Sequence, residues 1–148
     1  MTAKKADVPY RTPKIFIDTN VIVRFFVRDN ERMYEDCKAL FARVERGDIK
    51  PYLSAIVLFE LVYVLTRTYR FTKDDAISIL DRLLKMRNLS FIERTDTPRA
   101  LALWQSIGIK YGDCLIAAQI PKGVVLVTYD TDFDKIEGLK VVTPEMLV

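Results

Sequence analysis

The chain contains no histidine among its 148 residues. This absence excludes catalytic triads and general bases that depend on imidazole, and it excludes zinc sites with histidine ligands. The two cysteines, Cys37 and Cys114, are too few for a disulfide framework or a cysteine zinc site, and they fit a reducing cytoplasm. Any catalysis must therefore come from carboxylates, lysine, tyrosine, cysteine or a hard metal ion held by oxygen atoms.

Long hydrophobic runs are also missing from the sequence. The longest nearly apolar segment, 55–65, is short for a membrane span and carries Glu60 in its middle, so we expect no membrane association. The N-terminus is polar and basic and has no apolar signal-peptide core, so we predict a flexible basic tail over residues 1–13 and one domain over 14–148. The balance of 23 basic and 20 acidic side chains permits nucleic-acid binding without requiring it.

Apolar periodicity divides the chain into alternating strands and helices. Strands are predicted over 15–17, 52–53, 89–92, 124–127 and 140–142, the last at an edge of the sheet. Helices are predicted to follow Asp18 and to span 31–46, 55–70, 72–84, 97–108, 114–120 and 130–136. The helix over 55–70 is apolar on nearly every side, which predicts that it is buried.

This alternation predicts an α/β fold in which helices cover both faces of a mostly parallel sheet. Right-handed crossovers place the carboxyl ends of all parallel strands at one edge, where ligands bind in open α/β sheets. Asp18 directly follows the first strand, and Asp130 and Asp132 follow the strand over 124–127. We therefore expect these acidic side chains at the same edge.

Each candidate carboxylate also has a structural explanation that the sequence leaves open. Asp18 and Asp113 could be helix N-caps, and Asp130 and Asp132 could be capping or turn residues. Glu60 could lie on a narrow solvent-exposed stripe with Arg67, or it could be buried with a partner or a cation. If these groups converge, each pair at 5 Å repels by about 3 kcal/mol at an effective dielectric of 20. A divalent cation such as Mg²⁺ or Mn²⁺ would offset that repulsion.

Four motifs occur in a fixed order along the chain. They are Ile-Asp-Thr-Asn-Val at 17–21, Phe-Glu-Leu at 59–61, Tyr-Gly-Asp-Cys-Leu-Ile-Ala-Ala at 111–118, and Val-Thr-Tyr-Asp-Thr-Asp-Phe at 127–133. Together they resemble the PIN-domain ribonucleases and, more narrowly, the VapC-type toxins of toxin–antitoxin pairs. The resemblance covers about 15–142 and implies a three-layer α/β/α fold with a four- or five-stranded sheet. It also implies endonucleolytic cleavage of RNA with Mg²⁺ or Mn²⁺, by in-line attack of metal-activated water, leaving 5′-phosphate and 3′-hydroxyl ends.

The resemblance assigns catalytic roles to the acidic residues. Asp18 and Asp113 would hold the metal directly, and Glu60 would orient or deprotonate the attacking water. Asp130 would complete the acidic cluster, and Asp132 is the alternative for that place.

Polar and basic side chains near the same edge receive supporting roles. Asn20 and Thr128 would steady the carboxylates by hydrogen bonds, and Ser54 would do the same or simply cap a helix. The candidates for contact with the RNA backbone are Arg24, Arg28 and Lys110, followed by Lys122. Tyr111 and Tyr129 could stack on bases or pack in the core.

The resemblance further implies a homodimer that binds a small antitoxin of the VapB type along the first helices, often with an antitoxin arginine in the acidic site. The expected apolar contact surface is Phe25, Phe26, Met33 and Leu40, or the helix over 76–84. Two other functions stay open. One is a haloacid-dehalogenase-like phosphatase with an aspartyl-phosphate intermediate at Asp18, although Asn20 replaces the second aspartate of that motif. The other is a non-catalytic binding module whose acidic pocket receives a basic segment.

Overall fold

A five-stranded parallel sheet forms the centre of the molecule in a computed structural model that describes residues 11–148. The strands are β1 (Lys14–Ile17), β2 (Lys50–Ser54), β3 (Ser90–Ile92), β4 (Val125–Val127) and β5 (Val141–Val142), in the spatial order β3-β2-β1-β4-β5. All four strand pairings are parallel, and β5 lies at an edge. The predicted α/β class is confirmed. The predicted tail falls largely on residues 1–10, which lie outside the described residues.

Helices flank this sheet. The α-helices are α1 (Thr19–Val27), α2 (Glu31–Glu45), α3 (Ala55–Tyr63), α4 (Lys73–Leu84), α5 (Thr97–Ser106) and α6 (Tyr111–Gln119). A π-helical turn, Val64–Thr68, continues α3, and Thr131–Lys135 and Pro144–Leu147 form 3₁₀ helices. Within residues 11–148, no helix has the length and apolar character that crossing a membrane would require.

The strand order creates a switch point between β1 and β4. Strands β2 and β3 lie on one side of β1, and strands β4 and β5 lie on its other side. Ile17 pairs with Val127, and the Asp18 N–H donates to the Val127 carbonyl at 3.0 Å. The segments that follow β1 and β4 therefore emerge side by side, at the position where ligands bind in open α/β sheets.

Strand β1 is central because its side chains are apolar on both faces. Ile15, Phe16 and Ile17 are fully buried, as are Leu126 and Val127 on the neighbouring strand. Burial of one such side chain contributes about 1.5–3 kcal/mol, so this run anchors the sheet beneath the switch point.

The predicted helix over 55–70 differs from the structure in two ways. It changes from α- to π-helical geometry after Tyr63, with the Tyr69 N–H donating to the Val64 carbonyl at 3.2 Å. It is also buried on one side only: Val57, Leu61 and Leu65 lie in the core, whereas Phe59 is 77% exposed and Tyr63 is 62% exposed. The sequence shows that this helix is apolar on nearly every side. It does not show which of those sides the neighbouring helices and strands cover.

Smaller differences concern element ends and one expected surface residue. α5 ends at Ser106 rather than 108, and α6 begins at Tyr111 rather than 114. Leu40, expected on a contact surface, is fully buried because it packs into the core from α2. The C-terminal 3₁₀ helix was not predicted, since four residues are too few to show a period.

Candidate metal and catalytic site

Asp18 lies at the switch point, where both of its carboxylate oxygens accept hydrogen bonds. Oδ1 accepts from the Thr19 N–H at 2.8 Å, so the side chain does cap α1. Oδ2 accepts from the Thr128 hydroxyl at 2.7 Å and from the Asn20 amide at 3.2 Å. Asp18 is buried, and this desolvation raises its pKa to about 6, against the lowering effect of the Thr128 and Thr19 hydrogen bonds. Asp18 is thus both the N-cap of α1 and a member of the acidic site.

Asn20 and Thr128 connect the ends of the two central strands. The Asn20 amide donates to the Thr128 hydroxyl oxygen at 3.1 Å, and its carbonyl oxygen accepts from the Tyr129 N–H at 3.1 Å. The Thr128 hydroxyl oxygen also accepts from the Asp130 N–H at 3.0 Å. This network fixes the loop after β4 against α1. Ser54 is not part of it: the Ser54 hydroxyl accepts from the Val57 N–H at 3.4 Å and caps α3.

Glu60 reaches the same region from α3. Its Oε2 accepts a hydrogen bond from the Thr19 hydroxyl at 2.9 Å, and the side chain is half-buried. No ion pair joins Glu60 to Arg67 in the described residues. A Cβ atom on Gly112 would lie 2.9 Å from Glu60 Oε1, which is closer than real Cβ contacts. Thr19 and Gly112 therefore position Glu60. Sequence reasoning missed both roles, although each residue adjoins a predicted acidic one.

Asp113 lies in the first turn of α6. It is not the N-cap, because that position belongs to Lys110. The side chain is buried, and its Oδ2 has no hydrogen-bond partner within residues 11–148. Desolvation first, then the charges of Asp130, Asp18 and Glu60, raise the pKa of Asp113 to about 7. Such an oxygen is costly to bury as an anion unless a cation compensates it.

Asp130 and Asp132 lie at the start of the 3₁₀ helix after β4. Asp130 Oδ1 accepts from the Asp132 N–H at 2.9 Å, which is the turn role that the sequence left open. Carboxylate oxygens of Asp113, Asp130 and Asp132 all lie within 4.8 Å of one another. Asp132 is also 3.4 Å from the Lys135 ammonium. Both aspartates therefore lie next to Asp113, but only Asp132 is paired with a lysine.

One open cavity collects most of these groups. It has a volume of about 500 Å³, and Asp18, Glu60, Asp113 and Asp130 line it. Asp132, Ser54, Thr128 and Arg28 are not among its lining residues. The convergence expected from the sequence is therefore present for residues from four separate parts of the chain.

The donor set fits a hard divalent cation. An octahedral site with bonds of about 2.1 Å separates its ligand oxygens by roughly 3 to 4 Å, so the carboxylates of Asp113, Asp130 and Asp132 need only a small closure. Asp113, one of these three residues, also carries the buried oxygen, Oδ2, that has no hydrogen-bond partner within residues 11–148. The absence of histidine and the burial of both cysteines leave oxygen donors, which Mg²⁺ and Mn²⁺ prefer over zinc-type ligands.

The predicted RNA-contact residues have different surroundings. Arg24 lines the cavity but pairs with Asp29 at 2.7 Å. Arg28 pairs with Glu31 at 2.8 Å and does not line the cavity. Lys110 is exposed, lines the cavity and forms no ion pair with the part of the chain that the structure describes.

The remaining candidates lie apart from the acidic groups. Lys122 is exposed and lines a separate cavity, with residues that include Pro121 and Gly138. The Tyr129 hydroxyl is 3.5 Å from Cys37 Sγ, and the residue lines another cavity with Met33. Tyr129 therefore points away from the acidic cavity.

A family model described as the PIN domain matches residues 15–139. The chain belongs to the PIN-domain family. The match includes every motif that suggested this resemblance, so that prediction is confirmed. No curated protein sequence matches this PIN domain.

Solved structures agree with the family assignment. The PIN domain is similar to VapBC2 from Rickettsia felis bound to a promoter DNA fragment (24% identity, TM-score 0.63, 88% of this chain and 98% of that chain). It is also similar to DNA-bound VapBC from Salmonella typhimurium (16%, 0.64, 89% and 98%) and to VapBC-1 from nontypeable Haemophilus influenzae (18%, 0.62, 88% and 98%). At these identities the similarity concerns the fold.

Proposed function

We propose that this PIN domain is an endoribonuclease that hydrolyses RNA phosphodiester bonds with Mg²⁺ or Mn²⁺. The observation that carries the proposal is the buried, unpartnered Oδ2 of Asp113, which shares one cavity with Asp18, Glu60 and Asp130. Stability alone does not favour four carboxylates in one cavity, because their repulsion and desolvation oppose folding. A cation bound between the four carboxylates would offset their repulsion and desolvation, which explains why they lie together.

In this proposal Asp18 and Asp113 hold the metal, and Asp130 and Asp132 contribute from the loop after β4. A bound divalent cation would polarise a phosphoryl oxygen and make a water molecule more acidic. Asn20 and Thr128 hold the Asp18 carboxylate in place through the hydrogen bonds to its Oδ2.

Glu60 is the proposed general base. Its Oε2 is engaged by the Thr19 hydroxyl, whereas its Oε1 accepts no hydrogen bond within the described residues. Oε1 is thus the atom available to orient the attacking water and take its proton. A base within hydrogen-bond reach of its proton typically contributes a factor of about 10² to 10⁴ in rate.

The Lys110 ammonium is the cationic group at the cavity that is best placed to contact an RNA phosphate. Arg24 must first leave Asp29, and Arg28 must leave Glu31, before either can do the same. We therefore assign the main backbone contact to Lys110 and secondary contacts to the two arginines.

Cleavage of a labelled RNA, with the metal added and removed, tests the proposal. Wild-type protein should cleave with Mg²⁺ or Mn²⁺ and stop when EDTA is added. Asp113→Asn should lose at least 10²-fold in rate, while Asp134→Asn, an exposed change in the adjacent 3₁₀ helix, should keep it. Equal cleavage by wild type and Asp113→Asn would remove the assignment.

The two other functions gain no support from the site. A haloacid-dehalogenase-like phosphatase needs a second aspartate as its proton donor, and Asn20, whose amide is held by contacts with Thr128 and Tyr129, stands at that position. Modification of Asp18 by a beryllofluoride phosphoryl mimic would favour the phosphatase. If the protein binds the metal but cleaves no RNA, it is a binding module without turnover.

A small antitoxin of the VapB type is the proposed protein partner. Phe25, Phe26 and Phe41 line a groove of about 260 Å³ together with Leu83 and Met86, between α1, α2 and α4. The similar structures are VapBC assemblies, and a groove that combines these apolar side chains with Lys38, Glu45 and Arg82 suits an amphipathic segment. We also propose a homodimer. Light scattering of the isolated chain should give twice the mass of 17.1 kDa, and a monomer would contradict this part of the proposal.

A further inference from the structure

Arg24 lines the acidic cavity, but its ion pair lies outside the acidic cluster. Its guanidinium donates to Asp29 Oδ1 at 2.7 Å, and this hydrogen bond is the main cause of a raised pKa at Arg24. Asp29 does not line the cavity, whereas four other carboxylates do. A guanidinium pairs readily with carboxylates, because its planar donors match their two oxygens. An arginine that borders four carboxylates is therefore held by a fifth.

Arg24 is placed on α1 so that its side chain could reach the cluster. It follows Asn20 by one helical turn, about 5.4 Å along the axis, and the Asn20 amide donates to Asp18 Oδ2 at 3.2 Å. Side chains on an α-helix incline toward its N-terminus, which here is the end that Asp18 caps. Asp18 is buried, whereas the Asp29 side chain is 36% exposed, so water screens the attraction less at Asp18. A released Arg24 would thus extend toward the cluster and pair there.

Two features of the fold place Asp29 and fix its carboxylate. Arg28 ends α1 in the left-handed conformation, with φ at 56°, which is uncommon for a residue other than glycine and changes the direction of the chain just before Asp29. From the other side, the Tyr69 hydroxyl donates to Asp29 Oδ2 at 2.9 Å. Tyr69 follows the π-helical turn Val64–Thr68, a geometry that occurs frequently at functional sites. Arg24 and Tyr69 therefore engage one oxygen of Asp29 each.

The stability of the fold does not account for this network. Asp29 and Arg24 are each about one-third exposed, and ion pairs at such positions contribute little to the free energy of unfolding. A left-handed non-glycine residue and a π-helical turn are both unfavourable backbone choices. Their shared result is that Arg24 is kept beside the acidic cluster without entering it.

We propose that Asp29 is a positioning residue that holds Arg24 out of the acidic cluster and so keeps the metal site free of the protein's own guanidinium. This inference rests on the proposed metal site, and it concerns a residue that binds neither the metal nor RNA. Without Asp29, Arg24 would pair with the carboxylates and compete with the metal for their oxygens. If Arg24 occupied the cluster in about nine-tenths of the molecules, metal binding would be about tenfold weaker.

A double-mutant cycle of Asp29→Ala and Arg24→Met tests the inference, with Mn²⁺ affinity measured by isothermal titration at pH 7.5. Asp29→Ala should bind Mn²⁺ about tenfold more weakly than wild type. In the Arg24→Met background, the same substitution should cause little further loss, because no guanidinium is left to enter the cluster. Glu31→Ala is the matched control: it also removes one negative charge, but it releases Arg28, which does not line the cavity. Its Mn²⁺ affinity should stay close to that of wild type.

Two results of the titration would overturn the inference. One is equal Mn²⁺ affinity in wild type and Asp29→Ala. The other is the same loss of affinity with arginine and with methionine at position 24, since Asp29 would then act only through its own charge at a distance. A loss in Glu31→Ala as large as that in Asp29→Ala would have the same meaning.

Thermal unfolding in EDTA gives a second readout that does not depend on a metal. Asp29→Ala should melt at or above the wild-type temperature, because Arg24 exchanges an exposed partner for carboxylates in the cavity. A fall in melting temperature that disappears in the Arg24→Met background would overturn the inference, because Arg24 would then have found no new partner. If wild type binds no Mn²⁺, the nuclease proposal fails, and unfolding in EDTA still decides whether Asp29 holds Arg24 out of the cluster.

Discussion

Replacement of Asp113 by asparagine should make the metal-free protein more stable. The substitution keeps the size of the side chain and removes a buried negative charge from a cavity that Asp18, Glu60 and Asp130 also line. The new amide can donate hydrogen bonds to neighbouring carboxylates, which Asp113 cannot do when ionised. The substitution thus removes electrostatic repulsion that lowers the stability of the wild-type protein and that a catalytic role for Asp113 would explain.

The magnitude follows from the pKa of Asp113. Its rise from 3.8 to about 7 corresponds to about 4 kcal/mol opposing ionisation, at about 1.4 kcal/mol per pKa unit. Removal of a negative charge from the first turn of α6 costs roughly 0.3–1 kcal/mol in helix-dipole energy, and relaxation of the neighbours reduces the gain further. We expect a net stabilisation of about 2 kcal/mol at pH 8, or about 6 °C in melting temperature for a chain of this length.

The sign of the effect depends on pH. Between the unfolded pKa near 3.8 and the folded pKa near 7, folded wild type retains a proton on Asp113 that the unfolded chain releases. Wild-type stability therefore falls as pH rises through this window, and the asparagine variant lacks this loss. At pH 4 the advantage of the variant should shrink below about 1 kcal/mol.

Thermal unfolding in EDTA at pH 8 and pH 4 measures both quantities. Asp134→Asn provides the control, because it removes an exposed charge from the adjacent 3₁₀ helix. If Asp113→Asn melts at or below the wild-type temperature at pH 8, the carboxylates do not oppose one another as described.

Three further perturbations test separate parts of the site. Mn²⁺ affinity, measured by thermal shift, should rise about tenfold per pH unit between about pH 6 and 7, more steeply below pH 6, and level off above pH 7, because the metal competes with protons for Asp113 and, at lower pH, also for Asp18. Gly112→Ala should reduce cleavage about 10²-fold while the protein stays folded by circular dichroism, because the added methyl group displaces Glu60. Thr128→Val should reduce the free energy of unfolding by about 1–3 kcal/mol in denaturant titrations, because it removes the 2.7 Å hydrogen bond to Asp18.

Each of these has an outcome that contradicts it. A flat Mn²⁺ affinity between pH 5 and 8 would mean that no group titrating there binds the metal. Gly108→Ala is the control for Gly112→Ala, since a Cβ atom at Gly108 meets nothing within 4 Å. Equal loss of cleavage in both glycine variants would show that the loss does not depend on displacement of Glu60. Unchanged stability of Thr128→Val would show that the hydrogen bond is replaced by water.

The sheet and its acidic edge could be predicted because they depend on local signals. The fully apolar run of β1 ends sharply at Asp18, and the run of β4 ends at Thr128. Alternation of strands and helices then requires parallel pairing, which brings these strand ends to one edge. The convergence of Asp18, Glu60, Asp113 and Asp130 follows from topology together with the motif order.

Features that depend on neighbouring elements could not be predicted. Phe59 and Tyr63 belong to an apolar helix, and they are exposed because no element within residues 11–148 covers them. The contacts of Glu60 with Thr19 and Gly112 join three distant segments and leave no periodic pattern. A sequence also cannot show whether a basic side chain near the site is already paired.

Isothermal titration of Mn²⁺ into wild type and Asp113→Asn at pH 7.5 tests whether the acidic cavity is a metal site. We expect the wild type to bind the metal and the variant to bind it at least tenfold more weakly, because Asp113 supplies a buried oxygen that has no partner within residues 11–148. Equal affinities in the two proteins would contradict this expectation, since the acidic cavity would then exist without a cation that depends on this carboxylate.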